Sequence, residues 1–313
     1  MLWRLATTRL FLRSPIFMSD QLRIGIAYAL LSGVLWGFGP LLLKRGMKHS
    51  DVSAATLIQQ HVAVVLLGLL AAFRGELAHL NFSGRAFWSF FLTGAVGASF
   101  GKIFYYKGID KLGASKSTSV KNSSPFLTAI LAALFLGEEI NGFVAAGIGL
   151  IVLGVVVLTR TNDKASRNAG GIKYYVYPLL AAFCFGINPI FKKIGINAAN
   201  VPVLGAFITQ TTALIFMLTI GRFLSIKPRW QRVPMTALCL FTLSGITEAL
   251  GSLFTFFALI HAPAVLVSPM WRISPLVTFA LAHFTLKGIE IVTIRDGVAA
   301  SLIVFGVFVL SQG

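Results

Sequence analysis

The stretch YALLSGVLWGFGPLLLKRG, from Tyr28 to Gly46, can be laid over YPLLAAFCFGINPIFKKIG, from Tyr177 to Gly195, at a constant offset of 149. The register continues at 150 from Gln60 on Gln210, through Gly101 on Gly251, Phe104 on Phe254 and Pro125 on Pro275, to Thr128 on Thr278. Two extra residues in the second half then bring Gly154 onto Gly306. A chain that spells one strongly apolar unit twice must fold as two copies of one arrangement, and in a membrane such duplication is the mark of a transporter scaffold.

Composition sets the solvent. The 313 residues are 56% hydrophobic and 12% charged, with a mean hydropathy of +0.82, which suits an integral membrane protein. About 18 or more mostly apolar residues are needed to cross the hydrocarbon layer as a helix. Ten stretches qualify: 24 to 43, 52 to 73, 87 to 108, 113 to 136, 143 to 159, 174 to 191, 202 to 221, 234 to 260, 264 to 286 and 294 to 311. A β-barrel would show short alternating segments instead. The expected fold is therefore an all-α membrane protein with ten transmembrane helices. Five spans per copy send the second copy into the membrane from the opposite side, giving two inverted five-helix repeats. The boundaries read as an arm over 1–23, a first repeat over 24–159, a linker over 160–173 and a second repeat over 174–313.

The net charge is +17, from 27 Lys and Arg against 10 Asp and Glu. These charges sit in short loops, leaving no soluble domain for nucleic acid; the lipid bilayer and a small-molecule substrate are the partners to weigh. Cys184 and Cys239 lie inside spans and read as buried small hydrophobes. His61 and His283 lack metal-ligand spacing and read as packing, so neither a metal nor a cofactor is expected. GAVGASFGKI superficially evokes a phosphate loop, but only three residues separate Gly97 from Gly101, and Ile103 stands where a Ser or Thr is required. Gly97 with Gly101, and Gly33 with Gly37, read instead as close-packing surfaces. Without an ATP site, transport must be secondary, driven by a coupling proton or an exchange substrate.

GASKSTSVKNSSPFLTAILAALFLGEEINGFVAAGIGLIVLGVVVL resembles the carboxyl half of an EamA domain, with its Pro-containing helix, LFLGE exit and Gly-spaced last helix. GVLWGFGPLLLK is similar to the first EamA helix. The resemblance covers nearly all of residues 24 to 311, in two copies, and implies the drug/metabolite transporter superfamily and a bacterial inner membrane. The second copy departs from the pattern at FTLKGIE, where Lys287 replaces the Gly and the acid is displaced to Glu290. Related transporters move sugars, amino acids, nucleotide-linked compounds, phosphorylated metabolites or drugs.

Ionisable side chains inside the bilayer cost at least about 2.5 to 3.5 kcal/mol on insertion scales and mark function by default. Lys102, Lys121, Glu248 and Arg272 stand out. The repeat register puts Lys121 on Trp271 and Asn122 on Arg272, so each copy sets one cation at nearly the same level, one turn before its proline. Thr118, Lys121, Pro125 and Thr128 share one helical face, as do Ser268, Arg272 and Pro275. Two cations facing one cavity repel unless an anion bridges them, which points to an anionic substrate; snorkelling of Lys121 to the interface is the bland alternative. A narrower resemblance, to plastid phosphate translocators, implies the same role: they carry a Lys four residues before a Pro in the fourth helix, as Lys121 and Pro125 do, and a Lys-Arg pair in the ninth, of which only Arg272 is present. Glu248 lies on a polar stripe with Ser244, Ser252 and Thr255, where it either balances a cation or carries a coupling proton. Tyr105, with Tyr106, Trp36, Asn188, Gln60 and Gln210 complete the candidate lining, with helix packing as their alternative.

The expected function is a secondary active transporter for a small anionic metabolite bearing phosphate or carboxylate. An exporter of amino acids or neutral toxic metabolites is the rival, and a membrane enzyme or flippase acting on a lipid phosphate is a third reading that lacks a nucleophile or acid/base pair beside the cations. The first residues, with Arg4, Arg9 and Arg13, fit an early-assigned start before Met18, an amphipathic arm or a transit peptide. Fourteen loop cations share one side, against five on the other (Arg23, Arg74, Arg85, Lys192 and Lys193). Counted that way, the positive-inside rule puts both termini outside, whereas the resemblance implies cytoplasmic termini.

Overall fold

The computed structural model describes residues 20–47, 50, 52–79, 83–112, 117, 120–159, 172–223, 233–285 and 294–312. The arm before residue 20, the linker over 160–171, Thr118 and the Lys287 and Glu290 corner lie outside the described residues, as do the side chains of Tyr106 and His283. Every regular element among the described residues is a helix. The first half contains α1 (Asp20–Gly46), α2 (Val52–Phe73), α3 (Gly84–Leu92), α4 (Lys102–Leu112), α5 (Ser124–Leu136) and α6 (Gly142–Thr159). The second contains α7 (Val176–Ala198), α8 (Pro202–Phe223), α9 (Met235–His261), α10 (Ala264–Met270), α11 (Ser274–Thr285) and α12 (Ile294–Leu310). Six helices among these residues are long and apolar enough to cross a membrane.

Many large apolar side chains face outward, as a hydrocarbon solvent allows, while others such as Phe90, Phe241 and Phe256 fill the interior. Along α2, Val65, Leu69 and Phe73 are exposed while Ala63, Leu67 and Ala71 are buried. Small residues at the contacts let backbones approach, and Ser and Thr hydroxyls bridge between helices. Ser32 Oγ donates to Gly251 O at 2.8 Å and lies 2.8 Å from Thr255 Oγ1, riveting α1 to α9. Ser244 Oγ donates to Gly39 O at 3.2 Å. Much of the α9 polar stripe is thus a helix seam.

The two halves interlock reciprocally. Thr278 Oγ1 on α11 donates to Gly37 O on α1 at 2.7 Å, and its counterpart Thr128 on α5 donates to Gly186 O on α7 at 2.9 Å. The last helices meet likewise, Gly154 against Ile303 and Gly306 against Ile151.

Three expected spans end differently in the structure. The expected helix 113–136 is interrupted by a turn at Asn122 and Ser123, before Pro125 opens α5. The expected helix 264–286 is interrupted by a 3-10 turn, Trp271–Ile273, between α10 and α11. Pro125, Pro269 and Pro275 supply no backbone N–H, so each ladder breaks beside them. The third, α7, runs on to Ala198, well past 191. A π-helical stretch, Thr93–Gly101, joins α3 to α4 where the phosphate-loop lookalike lies. There Ser99 Oγ donates to Gly94 O at 3.0 Å. Cys184 is buried, but Cys239 is exposed on α9 and corrects the expectation of a buried pair. His61 is also exposed, and its ring bonds the Leu57 carbonyl of its own helix rather than packing inside.

The LFLGE exit has a visible purpose. Gly137 ends α5 with φ 67°, a left-handed conformation that favours glycine. The next residue, Glu138, accepts from Ala264 N and Val265 N, each at 2.8 Å, and so caps α10 of the other half. Lys193 Nζ donates to Leu259 O and Ala262 O on the near side of the same elbow. Glu138→Ala leaves both N–H groups unmet and is expected to cost about 1 to 3 kcal/mol. Thermal unfolding in detergent checks this, with Glu139→Ala, on an exposed neighbour, as the reference.

Candidate substrate site

Both interrupted helices place their cations at the break. Lys121 is helical and immediately precedes the turn at Asn122 and Ser123, and Arg272 stands in the turn Trp271–Ile273. Arg272 Nη2 donates to Ser124 Oγ, and Ser268 Oγ donates to Thr128 Oγ1 at 3.1 Å, so the faces read from the sequence meet each other. The guanidinium of Arg272 lies near enough to Lys121 for the two positive charges to act on one another. No carboxylate among the described residues offsets either charge. The Lys121 ammonium sits 4.6 Å from the ring centroid of Tyr105 and 5.7 Å from that of Phe185. Among the described residues, Arg272 Nε and Asn122 Nδ2 are buried donors without an acceptor.

A third cation stands close by. Lys192 belongs to α7, is only 4% exposed, and therefore is not the loop charge that the sidedness count took it to be. Its ammonium lies 5.0 Å from the ring centroid of Phe256, 5.8 Å from that of Trp271 and 5.9 Å from that of Trp36. The two tryptophans meet edge to face at 5.6 Å. Glu248, half-buried on α9, acts on Lys192 through space without closing to ion-pair distance. Trp36 Nε1 is another buried donor with no acceptor among the described residues.

Other expected lining residues are committed elsewhere. Gln60 Nε2 donates to Gln210 Oε1 at 2.6 Å and to Gln210 O at 2.9 Å, so the matched glutamines bond directly to one another. Asn188 Nδ2 donates to Thr93 O at 2.9 Å, against the bare backbone of Gly97. Lys102 opens α4 half-buried, and no described hydrogen bond or ion pair joins it to the cluster. Ser124, Phe185, Phe256 and Lys192 were missed by sequence reasoning. Lys192 had a usable signal: it falls on Leu43 in the repeat, the same kind of asymmetry that singled out Lys121 and Trp271.

The family model for EamA-like transporters matches residues 23–160 and matches again over 172–312. The chain belongs to the EamA-like transporter family. With six membrane-capable helices among its described residues, this EamA protein is a multi-pass membrane protein of a transporter family. The pseudopaline exporter CntI of Pseudomonas aeruginosa is 22% identical over 250 residues, covering 80% of this chain and 83% of CntI. The uncharacterized inner membrane transporter YhbE of Escherichia coli is 22% identical over 234 residues, covering 73% of this chain and 72% of YhbE. Curated relatives with 35% and 26% identity are matched over only 39% and 46% of their length. One solved crystal structure superposes with a TM-score of 0.72 at 18% identity, over 93% of this chain and 95% of its own, a likeness of fold.

Proposed function

We propose that this EamA-like protein is a secondary active transporter of a small organic anion, bearing carboxylate or phosphate, in a bacterial inner membrane. Lys121 and Arg272 hold the anion. The observation that carries this reading is the placement of two cations at facing helix breaks, Arg272 bonded to Ser124 three residues after Lys121, beside two buried donors, Arg272 Nε and Asn122 Nδ2, that lack acceptors among the described residues. Buried N–H groups left unmet cost about 1 to 3 kcal/mol each, so an acceptor-rich guest repays more here than a neutral one. On this reading ten spans form two inverted repeats that alternate access around the broken helices, with Glu248 balancing charge near Lys192 or carrying a coupling proton; the twofold family match supports the repeat. The exporter CntI and the inner membrane protein YhbE support export as the direction and the inner membrane as the location.

Reconstituted protein is tested for counterflow of phosphorylated, carboxylated, zwitterionic and neutral solutes. Saturable transport confined to the first two classes is the expected result. Transport confined to neutral solutes or to amino acids overturns the anion site in favour of the rival exporter.

A further inference from the structure

Lys192 is an unusual place to leave a charge. Its ammonium has three N–H donors, yet among the described residues it makes neither a hydrogen bond nor an ion pair. Three aromatic rings surround it. Ring faces stabilise a cation by their quadrupoles, by about 2 kcal/mol or more when water is excluded. They provide no lone pair for the N–H groups, and a buried donor without an acceptor is penalised. Glu248 acts on the charge from beyond contact distance, so it holds the ammonium without saturating it. Trp36 Nε1, on one of the rings, is a buried donor in the same condition.

This end of the cluster is joined to the Lys121 end by two adjacent residues. Trp271 covers Lys192, while Arg272, next in the chain, faces Lys121 and Ser124. Each end therefore presents a basic side chain and at least one donor lacking an acceptor among the described residues: Arg272 Nε and Asn122 Nδ2 at the first, Trp36 Nε1 and the Lys192 ammonium at the second. The formal charges of Lys121, Arg272, Lys192 and Glu248 sum to two net positive. That is the complement of a doubly charged guest.

Resting on the anion reading above, we infer that the cargo is a di-acid: one acidic group bound between Lys121 and Arg272, a second bound by Lys192 and Trp36 Nε1 across the Trp271 side chain. Lys192 is then the residue that separates two-headed acids from one-headed ones. Phe256 and the tryptophan rings keep its ammonium in place before the guest arrives.

The test uses the full chain in lipid nanodiscs and reads ligand-dependent thermal stabilisation, titrated with propionate and with malonate, succinate, glutarate and adipate. One length in the dicarboxylate series is expected to bind at least about tenfold more tightly than propionate, as one added charge-assisted hydrogen bond implies. Lys192→Met should reduce that advantage to within about twofold, while propionate, which reaches only the Lys121 and Arg272 end, changes little. Trp36→Phe keeps the ring, removes the N–H, and should shift the di-acid alone in the same direction. It decides the matter if Lys192→Met does not fold. The proposal is overturned if no di-acid outbinds propionate in the unmodified protein, or if the advantage survives in either variant that folds. Acids that all fail to stabilise a protein that neutral solutes do stabilise would instead overturn the anion site itself.

Discussion

Arg272→Ala is expected to abolish concentrative transport and, at the same time, to raise the melting temperature of the empty protein. The two signs follow from one geometry. Arg272 and Lys121 act on one another as like charges with no described carboxylate to offset them. At an effective dielectric of ~20, like unit charges repel by about 2 kcal/mol at 8 Å and about 4 kcal/mol at 4 Å, so deleting one relieves the empty site. The loss of the single Arg272 bond to Ser124 Oγ subtracts only part of that relief. With an anion bound, the balance reverses. Truncating one partner of a buried, hydrogen-bonded charge pair costs about 2 to 5 kcal/mol, a loss of affinity of at least about thirtyfold. Counterflow in proteoliposomes and unfolding in detergent measure the two effects separately. A structural cation would give the opposite pattern: a lower melting temperature with transport lost only in proportion to unfolded protein. Arg272→Lys keeps the charge but forfeits the fork of donors, and should sit between the wild type and Arg272→Ala in transport.

Sequence legibility followed the physics of each feature. The span over 52 to 73 coincides with α2, Val52–Phe73, because an uninterrupted apolar run can do little else in a membrane. The repeat was legible for the same reason, and it paired Gly37 with Gly186 and Thr128 with Thr278 before their reciprocal bonds were seen. The breaks at Asn122 and Trp271 were less so. Proline announces a lost N–H, but not how the freed chain turns. Lys192 was misplaced because a hydropathy window ends a span at a Lys-Lys pair, whereas a helix ends only where its backbone bonds do, here at Ala198. The aromatic rings that make its burial tolerable come from α1, α9 and the Trp271 turn, far away in the chain. Gln60 and Gln210 show the opposite limit. Their matched positions drew attention, but at an interface between repeats matched residues can simply meet each other, as these do at 2.6 Å.

The same reciprocity makes Gly37→Ala one of the most damaging single-methyl changes available. A Cβ on Gly37 would lie 2.5 Å from Val277 Cβ and 3.0 Å from Ser274 O. A helical Val is held to one preferred rotamer, and its Cβ cannot rotate away from the contact. Relief must come from α1 lifting off α11. That shift stretches the bond from Thr278 Oγ1 to Gly37 O and disturbs the helix that follows the Arg272 turn. Overpacking of this kind costs about 1 to 3 kcal/mol, against a gain in helix propensity of up to about 1 kcal/mol for leaving glycine, so the net expectation is destabilisation. Gly186→Ala meets Leu127 Cβ at 2.8 Å and Ser124 O at 3.2 Å, and should fail in the same sense but less severely, since the contacts are looser. Gly149, with nothing within 4 Å of an added Cβ, supplies the control: Gly149→Ala keeps the propensity gain without the clash and should melt no lower than wild type. The decisive measurement is a double-mutant cycle. Val277→Gly removes the Cβ that blocks Gly37→Ala, so the pair should recover at least about 1 kcal/mol relative to the sum of the single changes. Strict additivity would mean that α1 and α11 are not packed through this contact, and the reciprocal docking of the two repeats would have to rest on other surfaces.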